Sequence, residues 1–411
     1  MNKRIFIVAF FAFLFLAGSV YAAIGIIELR TEQLKNPLGI DVRQPRLGWR
    51  IESDEQNVMQ TAYHILVASS ADLLAQGKGD IWDSGKIESD ASQWIAYQGK
   101  PLKRNARYYW KVKVYTNRGE ADWSAPAFWS MGLLNEADWQ GQWIGLDRAA
   151  SGDSETQWSR LAARYLRKEF ALSREVKRAT VHIAGMGLYE LFINGQRIGD
   201  QVLAPAPTDY RKTILYNTYD VTPQLRKENA IGVTLGNGRF YTMRQNYKPY
   251  KIPTFGYPKL RLNLIVEYMD GSKETIATNT SWKLTTEGAI RSNNEYDGEE
   301  YDARKELGNW TQSGYDDKSW IAAQRVSIPS GTLRAQIMPG MKVMDTLKPV
   351  SIQKLGDKYI LDFGQNMAGC GSALKDKPVT VFVSVSQKPC RPMGNSILGI
   401  YVTPVPQIRI S

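Results

Sequence analysis

Leu188-Tyr189-Glu190-Leu191-Phe192-Ile193 runs straight into Asn194-Gly195 and then Gln196-Arg197-Ile198-Gly199-Asp200. Both central residues of a type I′ turn need positive φ, and Asn-Gly between apolar runs is the strongest short-range signal for that turn. The stretch predicts a β-hairpin. Related patterns recur along the chain. Tyr108 to Tyr115 alternates with period two, setting Tyr109, Lys111 and Lys113 on one face and Trp110, Val112 and Val114 on the other. Met269-Asp270-Gly271-Ser272 reads as the turn after a strand from Leu260 to Tyr268. No stretch carries a convincing amphipathic helix, so the fold class is all-β.

The 411 residues are enough for two or three domains, each with its own core. Short strands at even spacing from residue 23 to 134, with no cysteine pair, predict a fibronectin III-like or Ig-like sandwich. Its tryptophans are expected in the core. A Trp-rich connector with Trp139 and Trp143 opens residues 135–330, whose longer strands predict a jelly-roll module. Residues 331–369 read as the start of a further, truncated β-domain, and 370–411 as an aberrant tail.

The formal charge of +11 resembles a nucleic-acid signature, but much of the excess lies at the two ends and no Lys/Arg cluster marks a helix or an RNA-binding motif. No nucleic-acid partner is expected. Two histidines argue against histidine metal sites and Ser-His or Cys-His catalysis. Cys370 and Cys390 lack CxxC spacing. Asn2-Lys3-Arg4, the apolar run Ile5 to Ala17 and the small residues up to Ala22 have the form of a secretory signal peptide over 1–22. That run is shorter than the ~20 residues a spanning helix needs, so no stable membrane anchor is expected after cleavage. The expected location is periplasmic or secreted.

Two stretches offer chemistry. Gly236-Asn237-Gly238-Arg239-Phe240-Tyr241 sets aromatic residues beside a glycine-rich loop, and such loops at the end of a sandwich can hold a sugar. Tyr189, Asn194, Asn237, Arg239, Phe240 and Tyr241 are the candidate carbohydrate-binding residues: rings to stack a C–H face, amides to fix hydroxyls. The opposing reading makes the aromatics core and the Asn-Gly pairs turns. The acidic run Asn293 to Asp302 offers Glu295, Asp297, Glu299 and Asp302 as calcium ligands, or a carboxylate pair for glycosidic chemistry. The reading set against both is a solvated loop with Tyr296 and Tyr301 tucked inward. Calcium is the one cofactor these residues suggest.

Glu28-Leu29-Arg30-Thr31-Glu32, Asn36-Pro37-Leu38-Gly39-Ile40-Asp41, Pro45-Arg46-Leu47-Gly48-Trp49 and Ile81-Trp82-Asp83-Ser84-Gly85-Lys86 together resemble the opening of bacterial α-L-rhamnosidases of glycoside hydrolase family 78. Arg107 to Val112, Ile193-Asn194-Gly195, Tyr219-Asp220-Val221-Thr222, Asn229-Ala230-Ile231-Gly232 and Gly236-Asn237-Gly238 extend the resemblance, and Asp362 to Gly369 resembles the entry to the family's next β-domain. The resemblance covers roughly residues 25–369. It implies rhamnose-containing glycans or glycosides as partners, and inverting hydrolysis of terminal rhamnose by carboxylates on an (α/α)₆ barrel. The family's Asp-x-Pro-x-Arg-x-Glu-Arg-x-Gly-Trp run is absent, so no residue inherits those catalytic roles. The expectation is a catalytically incomplete N-terminal fragment that at most binds carbohydrate; the alternative is purely structural β-domains. Shifting the reading frame across Val385 to Gly394 permits a strand and an Asp-Gly turn like the family's, so a frameshift near Gly369–Cys370 is the expected origin of the tail.

Overall fold

The computed structural model describes residues 24–150, 161–241, 254–294, 298–355, 358–364 and 400–402. The expected leader, most of the expected aberrant tail with both cysteines, and Glu295 and Asp297 lie outside them. The chain divides into two compact units, Met1–Asp138 and Trp139–Ser411. Both are β-structures; the single α-helix among the described residues is Ala71–Ala75.

The first unit holds β1 (Gly25–Thr31), β2 (Arg46–Glu52), β3 (Gln60–Ala68), β4 (Trp82–Glu88), β5 (Ile95–Ala96), β6 (Arg107–Thr116), β7 (Gly119–Glu120) and β8 (Ala127–Ser130). One sheet runs β1-β2-β5; the other runs β4-β3-β6-β7, with β8 also on β6. The period-two pattern of β6 decides its facing: Tyr108, Trp110, Val112 and Val114 are buried while Tyr109, Lys111 and Lys113 are not. Trp110 and Trp129 are fully enclosed, and Trp49 meets Tyr63 edge to face with centroids 5.3 Å apart. The Trp49 indole N–H donates to Gln60 Oε1 at 3.0 Å, whereas those of Trp110 and Trp129 are buried without a partner among the described residues.

The second unit continues with β9 (Ile144–Gly145), β10 (Arg164–Ala171), β11 (Val176–Met186), β12 (Leu188–Ile193), β13 (Gln196–Arg197), β14 (Thr213–Asp220), β15 (Glu228–Gly236), β16 (Lys259–Tyr268), β17 (Lys273–Ala277), β18 (Lys283–Thr285), β19 (Ile290–Asn294), β20 (Gly298–Tyr301), β21 (Ile321–Ala322), β22 (Gln324–Arg325) and β23 (Thr332–Ala335). A six-stranded sheet runs β13-β12-β15-β10-β18-β21, and a seven-stranded sheet runs β22-β9-β16-β11-β14-β23 with β17 beside β16. The core between them takes alternate residues from each strand: Leu191, Ile193, Ile231, Val233 and Leu235 against Val181, Ile183, Leu260, Leu262 and Leu264. β23 pairs in parallel with β14, Thr213 opposite Thr332. Residues 332–335, which the sequence assigned to a further β-domain, therefore belong to this sheet. Their contribution is an edge ladder made at long range, which no local pattern announces. Ser351–Leu355 and Lys358–Asp362 form a separate hairpin, with Ile400–Val402 on its edge.

The Asn194-Gly195 hairpin forms as expected, with φ of 51° and 83° and Ile193 paired to Gln196. Both faces of the six-stranded sheet are covered. Residues 303–320 cross its outer face, where Trp310 and Trp320 pack on Ala163 and Tyr165. Arg167, 1 % exposed, holds this cover: its Nε donates to Trp310 O at 2.9 Å, an Nη donates to Gln312 O at 3.0 Å, and the guanidinium pairs with Asp317 and Glu169. Gly232 makes room, since a Cβ there would lie 2.6 Å from Thr311 Cγ2 and 2.9 Å from the Trp310 ring. On the outer face of the seven-stranded sheet, His182 is fully buried beside Trp139 and Tyr216, its Nδ1 2.9 Å from Thr218 Oγ1.

Gly232→Ala should push Thr311 and Trp310 off the sheet and lower the unfolding free energy by about 1–3 kcal/mol. The measurement is the urea midpoint at unchanged m; an unmoved midpoint means the cover is loosely held. A second expectation concerns acid. Burial, aided by the Arg178 charge, lowers the His182 imidazole to about 3, against about 6.5 in the unfolded chain. The folded pKa is depressed, so this stabilisation is complete above the unfolded value and is lost as pH falls from there toward the folded one. Between about pH 6 and 5, stability should drop by up to ~1.4 kcal/mol per pH unit, and His182→Gln should flatten that slope.

Candidate functional site

The loop after β15 is shaped by glycines that let three backbones meet. A Cβ on Gly187 would lie 2.1 Å from Gly236 O, one on Gly236 would lie 2.7 Å from Asn293 Oδ1, and one on Gly238 would lie 2.6 Å from Leu188 Cγ. Gly238 itself sits at φ 48°, and the N–H groups of Phe240 and Tyr241 close the turn on Asn237 O at 3.1 and 3.2 Å. Three elements converge as a result: the start of β12, the end of β15 and β19.

Asn237 is the hub. Its side chain is 1 % exposed, and its Nδ2 donates to Leu161 O and Asn293 O, both at 2.7 Å. Its backbone N–H donates to Asn293 Oδ1 at 2.6 Å. These bonds fix the orientation of both amides and leave one group over on each. Asn237 Oδ1 and Asn293 Nδ2 are buried without a partner. Leaving a buried donor and acceptor unpaired costs about 1–3 kcal/mol each, so the corner is complete only with something that both donates and accepts.

The acidic run meets this loop. β19 and β20 form a hairpin in which Asn293 lies directly opposite Glu299. Glu299 is exposed to solvent on one side, yet partial desolvation and the nearby Glu190 charge raise its carboxyl above the ordinary range. Asp302 plays a different part. It caps the turn Ala303–Lys305 and binds the Arg304 guanidinium through both oxygens, at 3.0 and 2.9 Å. Burial opposes its charge, but the Arg304 guanidinium and N–H outweigh this and hold its carboxyl low. Among the described residues no group of three or more His, Cys, Asp or Glu side chains gathers as a metal site. Tyr301 is 48 % exposed rather than tucked inward.

The aromatic candidates do not form a platform. Phe240 is fully buried, edge-on to Tyr210 at 5.0 Å and stacked on Phe255 at 5.9 Å. Tyr241 is buried and stacks on Tyr257 at 5.7 Å. Tyr189 lies in the sandwich core, where its hydroxyl donates to Asn217 Oδ1 at 2.7 Å and burial raises its pKa. Ring faces already packed on other rings cannot stack a ligand. Asn194 is scaffold: Nδ2 donates to Gln224 O and Asn229 Oδ1, and Oδ1 accepts from Ala230 N. Arg239 is half-buried in the turn. Of the sequence candidates, Asn237 and Glu299 share a neighbour, Asn293, which the first binds and the second faces across the strand pair. Sequence reasoning treated Asn293 only as the opening of the acidic run; its signal was an Asn pair just before that run.

No helix among the described residues is long and apolar enough to cross a membrane. The α-L-rhamnosidase N-terminal domain family matches residues 174–345, and the Rha78A-like N-terminal immunoglobulin domain family matches residues 26–135. An α-L-rhamnosidase of Formosa agariphila is 40 % identical over 81 % of this chain and 37 % of its own length. The solved α-L-rhamnosidase from Dictyoglumus thermophilum superposes with a TM-score of 0.75 at 39 % identity, covering 83 % of this chain and 38 % of that one. The Streptomyces avermitilis α-L-rhamnosidase complexed with L-rhamnose gives 0.74 at 25 % identity, covering 84 % and 49 %. The chain thus spans less than half the length of these relatives. It carries the N-terminal β-domains of the glycoside hydrolase family 78 α-L-rhamnosidases.

Proposed function

We propose that this chain serves an α-L-rhamnosidase, a secreted or periplasmic glycosidase that removes terminal α-L-rhamnose, as its glycan-holding β-domains. The acid–base step is assigned to the barrel that the family resemblance implies, and the second sandwich holds the sugar near it. The observation that carries the binding role is the buried pair left over at the loop corner, Asn237 Oδ1 and Asn293 Nδ2. A sugar hydroxyl accepts from one and donates to the other. Glu299, beside Asn293, adds an acceptor at the rim. The rhamnose-bound relative motivates the choice of L-rhamnose as ligand.

A structural reading has its own support. Tyr189, Phe240 and Tyr241 are all buried, and Asn194 spends its amide on the fold. Under that reading the corner encloses water and the domains only pack. Titrating L-rhamnose into the purified chain by calorimetry and NMR separates the two. The binding reading expects saturable heat and local shifts. Asn293→Asp keeps the acceptor for Asn237 N–H but replaces the spare donor, and should weaken binding about tenfold, equivalent to ~1.4 kcal/mol. No heat and no shift changes with the wild-type chain would leave the structural reading standing.

A further inference from the structure

Trp94 stands apart from the other described tryptophans. It is 55 % exposed, whereas Trp49, Trp110, Trp129, Trp139, Trp143, Trp282, Trp310 and Trp320 are buried and Trp82 and Trp123 half-buried. It also sits at φ 62°, a left-handed conformation that a bulky residue adopts only under constraint. The neighbouring backbone supplies the constraint. Trp49 N–H donates to Ser92 O at 2.9 Å, Gln93 Nε2 donates to Trp49 O at 3.0 Å, and Tyr97 N–H donates to Pro45 O at 3.0 Å. With both sides tied to β2, the chain bulges at residue 94 and turns the indole outward. Backbone strain of this kind clusters where a side chain is held for a ligand.

The surroundings are built in the same way. The Arg46 guanidinium carbon lies 4.4 Å from the Trp94 ring centroid. Buried Glu32 pins that guanidinium: its carboxylate accepts from Arg46 Nε at 3.1 Å and from the Arg46 backbone N–H at 2.7 Å. Glu32 and Gln33 are themselves left-handed, at φ 50° and 64°. Arg46 therefore covers one face of the indole with a fixed planar cation, so a sugar would stack on the opposite face of this half-exposed ring. Strand alternation sets Trp94, Ala96 and Gln98 on the exposed side. An open cleft of about 780 Å³ begins at the far end of β5, lined by Arg43, Gln44, Gln98 and Lys100 among others.

We infer that Trp94, Arg46 and the adjoining cleft form a second glycan site on the first sandwich, in which a pyranose ring stacks on the indole and neighbouring sugar hydroxyls meet Gln44 and Gln98. An exposed aromatic face at one end of β5 and a polar cleft at the other suit a chain of sugars rather than a single ring. The choice of a glycan rests on the proposed function; the place of the site does not.

The test uses the full chain, with a rhamnogalacturonan oligosaccharide as one probe and L-rhamnose as the other, read by calorimetry and indole fluorescence. Trp94→Gly should weaken the oligosaccharide about tenfold, equivalent to ~1.4 kcal/mol, while L-rhamnose binding is unchanged. Because glycine accepts positive φ freely, the melting temperature of Trp94→Gly should stay within about 2 °C of wild type or rise. Trp94→Tyr should recover part of the oligosaccharide affinity. Asn293→Asp should weaken L-rhamnose and leave the loss caused by Trp94→Gly on the oligosaccharide in place, so the two sites fail independently. Equal oligosaccharide affinity in wild type and Trp94→Gly, no oligosaccharide binding by wild type, or a marked fall in melting temperature in Trp94→Gly would each overturn the inference.

Discussion

A guanidinium buried inside a protein must find acceptors for its donors, and Arg167 finds them by drawing a distant segment across the sheet. Its partners, Trp310 O, Gln312 O and Asp317, lie more than 140 residues away in sequence. Without them, the outer face of the six-stranded sheet would present Tyr165 to water and Gly232 as bare backbone. With them, the sheet has apolar layers on both sides, and β10, at its centre, is enclosed. The same segment carries the chain from β20 to β21, so the hairpin that holds Asn293 is positioned by a layer that begins at a single charged side chain.

What could be read from the sequence was local. The Asn194-Gly195 turn, the alternation of β6 and the Asp270-Gly271 turn each depend on a handful of adjacent residues, and each formed as their chemistry requires. The quantities that decide the site are not local. Whether Phe240 faces water depends on Phe255 and Tyr210, and nothing in Gly236–Tyr241 states which way the ring turns. The bond between Asn237 and Asn293 spans a separation of 56 residues. Trp94 shows the same difficulty in reverse. Tryptophans in a sandwich are core by default, and only the ties on either side of it, to Trp49 and Pro45, reveal why this one is not.

The two candidate sites differ in kind. The amide corner is enclosed, formed where glycines let backbones approach, and under the proposed binding role it would select by hydrogen-bond complement. The Trp94 shelf is open, and the inferred site would select by a flat apolar face and fixed charge. Enclosure favours discrimination between similar small groups, because a mismatched group leaves buried atoms unpaired. An open aromatic face tolerates variety, since it depends on area and orientation more than on any one bond.

β21 and β22 follow each other within five residues, yet Leu284 pairs with Ile321 in one sheet and Ile144 pairs with Arg325 in the other. This short crossing sews the edges of the two sheets together, and its thread comes late in the chain. A ribosome delivers β9 through β20 before the stitch exists, so the nascent sandwich has two open edges and one uncovered face for the time it takes to add some twenty further residues. Synthesis speed over residues 303–325, rather than the strength of the finished core, then sets how long those edges stand available to a chaperone or to another nascent chain.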